Sequence, residues 1–119
     1  MSHDAKLAFA VSRLEHQPTL EVRINFGVFA GRQATPAEID ELGTYMLDEV
    51  RPITIVAEER HELDGRLETS VHLVRIELAA AQVPENDFER RRLEQRLVER
   101  AEHWARACID RRHTPGIGA

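Results

Sequence analysis

Apolar and polar positions alternate with a period of two over residues 20–30. Leu20, Val22, Ile24, Phe26, Val28 and Ala30 interleave there with Glu21, Arg23, Asn25, Gly27 and Phe29. That alternation predicts one long, half-buried strand. Two more alternating runs lie between Ile53 and Leu78, joined by Asp64-Gly65, a pair whose tolerance of positive φ suits a two-residue hairpin turn. A turn centred there sets Ala57 opposite His72, Ile55 opposite Val74 and Ile53 opposite Ile76. One face of the ribbon then carries Ile53, Ile55, Ala57, His72, Val74, Ile76 and Leu78. The other carries Thr54, Val56, Glu58, Val71, Leu73, Arg75 and Glu77. Residues 5–14 match a strand and a helical face equally, and the turn-forming His16-Gln17-Pro18-Thr19 favours the strand.

Two stretches carry the longer helical period. Thr35-Pro36-Ala37-Glu38 offers an N-cap, a proline at the first helical position and the acidic member of a capping box. Ile39, Leu42, Met46 and Val50 form its inward stripe, Gly43 lies on the same stripe, and Pro52 is expected to end the helix. Asn86 and Glu89 offer a second capping box. Leu93, Leu97, Ala101, Trp104, Ala105 and Cys108 then share one face of a helix reaching about Arg112. The order is β-β-α-β-β-α.

A right-handed crossover from the strand before the first helix puts the hairpin's outgoing strand beside it, and the first strand covers the free edge. The expected fold class is therefore α+β. It has a four-stranded antiparallel sheet with two helices on one face, a ferredoxin-like-sandwich-type architecture with its last strand moved to the front. One domain accounts for residues 1–119, with 1–4 and 113–119 as frayed tails. An analogy of architecture carries no function.

Composition narrows the class only a little. The chain has 119 residues, 42% apolar and 31% charged, within the range of soluble globular proteins. No apolar run approaches the ~20 residues of a membrane span. The opening Met-Ser-His-Asp-Ala-Lys lacks a signal peptide's apolar segment, so a cytoplasmic location is expected. Cys108 is the single cysteine and has no partner for an internal disulfide. The net charge of −5 argues against nucleic acid as a partner, because that affinity comes mainly from neutralising phosphates. Fifteen arginines against one lysine fit a coding bias as readily as a phosphate-binding role.

No nucleotide-binding glycine loop, zinc-binding cysteine pair or nucleophile elbow is present, and no cofactor is indicated. Glu59, His61, Glu68 and His72 project from one face of the hairpin tip, a donor set suited to a divalent metal or a shared proton. A solvated hairpin end with a cross-strand ion pair is the simpler reading, and no metal is expected. His72 among apolar positions and Glu94 on the last helix's apolar face make a candidate catalytic pair, should they meet. Gly31, Arg32 and Thr35 gather at a helix N-terminus, which favours anions.

The face of the sheet away from the helices retains Gly27, Phe29, Val56, Val71 and Leu73. With Arg23, Arg75, Glu21 and Glu77 as a polar rim, Phe29, Val56, Val71 and Leu73 are expected to form the interface of a homodimer, or to hold a small ligand. A small self-associating or ligand-binding module is the leading expectation. A small enzyme using a histidine–carboxylate pair, with or without a metal, is the alternative.

Overall fold

The computed structural model describes residues 6–65 and 67–113, with backbone alone for 60, 62–64, 67–71 and 112–113. Its elements are β1 (Ala8–Arg13), β2 (Thr19–Ile24), α1 (Phe26–Ala30), α2 (Pro36–Leu47), β3 (Ile53–Asp64), β4 (Leu67–Leu78), a 3-10 turn at Ala80–Gln82, and α3 (Asp87–His113). The strands form one antiparallel sheet in the order β1-β2-β4-β3, as the crossover argument requires. The fold is α+β. No described helix is long and apolar enough to cross a membrane. The expected frayed tails, apart from His113 at the end of α3, lie outside the described residues.

The strand expected over 20–30 is interrupted. It stops at Ile24, and Phe26–Ala30 turn into the short helix α1. Phe26 and Ala30 are four residues apart and so share a helical face, and both are buried. Gly31 closes α1 at φ 73, the left-handed conformation that glycine adopts most readily. Gly27 sits directly on β4: a Cβ there would lie 2.8 Å from the His72 backbone nitrogen and 2.9 Å from its Cβ, so only glycine lets α1 approach this closely. The region reads as a strand because alternating residues and the i, i+4 pair coincide over five positions.

The hairpin's faces are as expected, but its register is offset. Asp64 pairs with Leu67, and Gly65 follows Asp64 at φ 61. Glu59 is therefore opposite His72, His61 opposite Ser70, and Ala57 opposite Val74. The offset moves one strand two residues along the other, and an even shift keeps every side chain on its face.

The core lies between this sheet and the helices. Val22, Ile24 and Ile76 on the sheet, Leu42 and Met46 on α2, and Leu97, Ala101, Trp104 and Cys108 on α3 are fully buried. Helix α3 runs over β1 and β2, while α2 covers β3. Helix α2 starts where its caps predict, with the Thr35 hydroxyl accepting from Glu38 N–H at 3.2 Å and Glu38 Oε1 accepting from Thr35 N–H at 2.9 Å. It ends at Leu47, not at Pro52; the N–H groups of Glu49 and Val50 fold back onto the Met46 carbonyl and close the last turn early.

Candidate functional site

The helices occupy one side of the sheet, and the register lays out the other side row by row. One row runs Thr54, Glu77, Glu21, Val11 across β3, β4, β2 and β1. The next runs Val56, Arg75, Arg23, Phe9. A row of carboxylates thus lies beside a row of guanidinium groups in the middle of the face, with Thr54 and Val56 at one edge and Phe9 and Val11 at the other. Glu58 and Leu73, opposite each other, follow on the Arg75 side.

These charges are held unevenly, Arg23 gripping Glu21 closely and Arg75 sharing its carboxylates at longer range. Arg23 binds Glu21, its Nε donating to Oε1 at 2.8 Å. Arg75 faces three carboxylates, Glu77 at 3.2 Å, Glu21 at 3.7 Å and Glu58 at 3.7 Å. Its buried Nε makes no hydrogen bond among the described residues. A hollow of about 350 Å³ opens on this face, lined by Val11, Arg13, Glu21, Arg23 and Glu77 among others.

The expected interface is rearranged by this geometry. Arg23, Arg75, Glu21 and Glu77 are the centre of the face, not its rim. Val56 lies on it as expected. Leu73 also lies there but is already 7% exposed within the monomer. The Val71 side chain lies outside the described residues. Phe29 does not belong to this face: on α1 it lines a different groove with Leu7, Ala8, Val98 and Ile109. Phe9 and Val11 take the outward positions that sequence reasoning missed. The signal was the strand reading of 5–14 itself, since an antiparallel partner for β2 must put either Phe9 and Val11 or Ala8 and Ala10 outward.

The hairpin brings three of its four expected donors together. Glu59 lies between two imidazoles, with Oε1 3.6 Å from His61 Nε2 and Oε2 3.6 Å from His72 Nε2. The Nδ1 of His72 is buried without a hydrogen-bond partner among the described residues. The Glu68 side chain lies outside the described residues, and among those described no group of three or more donors has the arrangement of a metal site.

His72 and Glu94 do not meet. His72 lies under Gly27 of α1, whereas Glu94 follows Leu93, which packs near Val50, Gln82 and Pro84 at the Leu78 end of β4. Six residues of strand, ~20 Å, separate those ends. Helix α3 lies over β1 and β2.

Gly31, Arg32 and Thr35 do gather at the start of α2, and the chain supplies its own anion. Arg32 clamps Glu38 with both terminal nitrogens at 2.7 Å, and Thr35 N–H donates to the same carboxylate. Chiefly through the Arg32 hydrogen bonds, the Glu38 carboxyl is held at about 2, against 4.5 ordinarily. Trp104 Nε1 donates to the Glu38 carbonyl at 2.8 Å. Burial, with Glu38 close by, pushes the Cys108 thiol up to about 11. That leaves it a poor nucleophile, since the thiolate is the reactive form. This end of the molecule is built for rigidity.

Comparison with protein-family models, curated proteins and solved structures finds no significant match.

Proposed function

We propose that the chain is a small self-associating interaction module whose working surface is the uncovered face of its sheet. The observation that carries this reading is the pair of opposite-charge rows, Glu21 with Glu77 beside Arg23 with Arg75, set between Val56 at one edge and Phe9 and Val11 at the other, on a face with no described helix over it. Apolar edges supply the gain from excluding water, and charges fix which surface fits which. The α2 N-terminus, where an anion could otherwise bind, is filled by the chain's own Glu38.

Light scattering at tens of micromolar tests the reading. A mass of twice 13.6 kDa is the expected result. Val56→Arg should reduce it to the monomer mass with the circular dichroism unchanged. Val56 suits this test better than Leu73, which the monomer already buries. A wild-type mass of 13.6 kDa at that concentration defeats self-association, and binding of a small ligand in the hollow beside Glu21 becomes the stronger account of this face.

A further inference from the structure

We infer that the occupant of the open face is a second copy of this chain, related by a twofold axis that lies in the plane of the interface and runs across the strands. The inference rests on the self-association reading above and specifies its geometry.

The argument is one of symmetry. The carboxylate row and the guanidinium row are successive outward rows, so a line between them passes at the level of the Val22–Ile76 pair. Rotation by 180° about that line carries each row of one copy onto the level of the other row in its partner. Glu21 then faces the partner's Arg23, and Glu77 faces the partner's Arg75. At the edges Phe9 faces the partner's Val11, and Val56 faces the partner's Thr54. A twofold axis along the strands would do the reverse, stacking carboxylates on carboxylates and guanidinium groups on one another. Like charges opposed in this way are strongly disfavoured, so the crossing axis is the one the charges select.

The local state of these groups agrees. Arg75 keeps 25% of its side chain exposed, and its three carboxylates stand at 3.2 Å, 3.7 Å and 3.7 Å. Carboxylates arriving from the partner give the arginines acceptors from a second layer. Twofold pairing of one self-complementary patch is also the commonest closed assembly. Four strands about 4.8 Å apart and about six residues long give a face of roughly 19 by 20 Å. That is ~380 Å² a side and ~760 Å² in total, below the ~1,000 Å² of a stable interface and in keeping with a weak, transient one. The assembly should therefore weaken at low micromolar concentration and in high salt, where the charges that set its register are screened.

The test exchanges the two rows. The variant E21R/R23E/R75E/E77R preserves the alternation, so under the crossing axis it pairs with itself. It should also refuse the wild type, because mixing would place like charges opposite each other. Wild type labelled with nitrogen-15 and unlabelled row-exchanged variant are mixed in equal amounts and examined by native mass spectrometry. Mixed dimers should be at least ~10-fold rarer than random exchange gives, matching a like-charge penalty of more than ~1.4 kcal/mol. Free mixing would overturn the crossing axis and leave self-association standing. A wild type that is monomeric throughout would defeat both.

Circular dichroism checks that the exchanged variant folds. Should it not fold, E21R/R23E replaces it in the same mixing experiment: under the crossing axis it still pairs with itself, but against the wild type it sets position 21 opposite the like-charged position 23, so mixed dimers should again be depleted. Mixing as free as random exchange, which an axis along the strands gives for this variant, would overturn the inference.

Discussion

Glu38, in the first turn of α2, and Glu77, on the open face of the sheet, are both paired with arginine, yet the two carboxylates are held very differently. Glu38 receives two hydrogen bonds from Arg32 and one from Thr35 N–H, with its side chain 11% exposed. Glu77 meets Arg75 at 3.2 Å with its side chain 41% exposed. The contrast separates charge that fixes a structure from charge left available to a partner. A saturated, desolvated pair loses a great deal when broken, because the remaining ion has no replacement solvent. An exposed pair loses little, because water takes the place of the missing partner.

The largest expected effect lies on the covered side. Trp104 is fully buried, stacks on Phe26 at 5.2 Å and donates to the Glu38 carbonyl. Trp104→Ala should cost about 3–5 kcal/mol in urea denaturation, from the cavity and from an orphaned carbonyl. A cost below about 1 kcal/mol would mean that the α2–α3 contact is not where the core is held.

Glu38 comes next, and its effect has a direction in pH. Its folded value of about 2 lies below the ordinary 4.5, so between those values the unfolded chain takes up the proton more readily. Its contribution is complete above about pH 4.5 and disappears as pH falls through 2. The full contribution is on the order of 3 kcal/mol. Glu38→Gln should lower stability at pH 7 by about 2–3 kcal/mol and flatten the rise in stability between pH 2 and 4.5. Equal slopes in wild type and variant would show that Arg32 does not hold this carboxylate in solution.

Much of this comparison was legible in the sequence, and the losses have physical causes. The strand order, the two faces of the hairpin and the Thr35–Glu38 capping box follow from alternation, handedness and local hydrogen bonding, which act over a few residues. Helix α1 was missed because five residues are too few to separate a period of 2 from one of 3.6; only Gly31 marked it. The register offset was missed because Gly65 falls in the turn under either register. It mattered for chemistry and not for folding: the faces survived, while His72 moved from Ala57 to Glu59. The His72–Glu94 pairing failed because sequence does not give the line a helix takes across a sheet. The open face was read as apolar with charged margins because rows across strands exist only once the strands are paired.

A smaller effect bounds the covered side from below. Thr35→Ala removes one acceptor at the start of α2 while Arg32 and Glu38 keep their bonds. The expected loss is about 1 kcal/mol in the same denaturation experiment. An unchanged midpoint would mean that Glu38 alone fixes the helix start.

The smallest effect on folding is expected at Glu77, and there the contrast between the two carboxylates is sharpest. Its salt bridge to Arg75 is the only ion pair the structure gives it among the described residues, and Glu21 and Glu58 also stand within 3.7 Å of that arginine. Removing one of three carboxylates leaves the guanidinium still flanked by charge. Solvent reaches the Glu77 side chain freely, so little desolvation is recovered or lost. Glu77→Gln should therefore change monomer stability by less than about 0.5 kcal/mol, measured at a concentration low enough to exclude association. The same substitution should weaken self-association in sedimentation at low salt, because the partner's Arg75 loses its opposite charge. A large loss of monomer stability with no change in association would reverse the assignment, making Glu77 a structural carboxylate like Glu38. Glu38→Gln and Glu77→Gln remove the same charge by the same isosteric change, so their difference measures the two sides of the sheet directly.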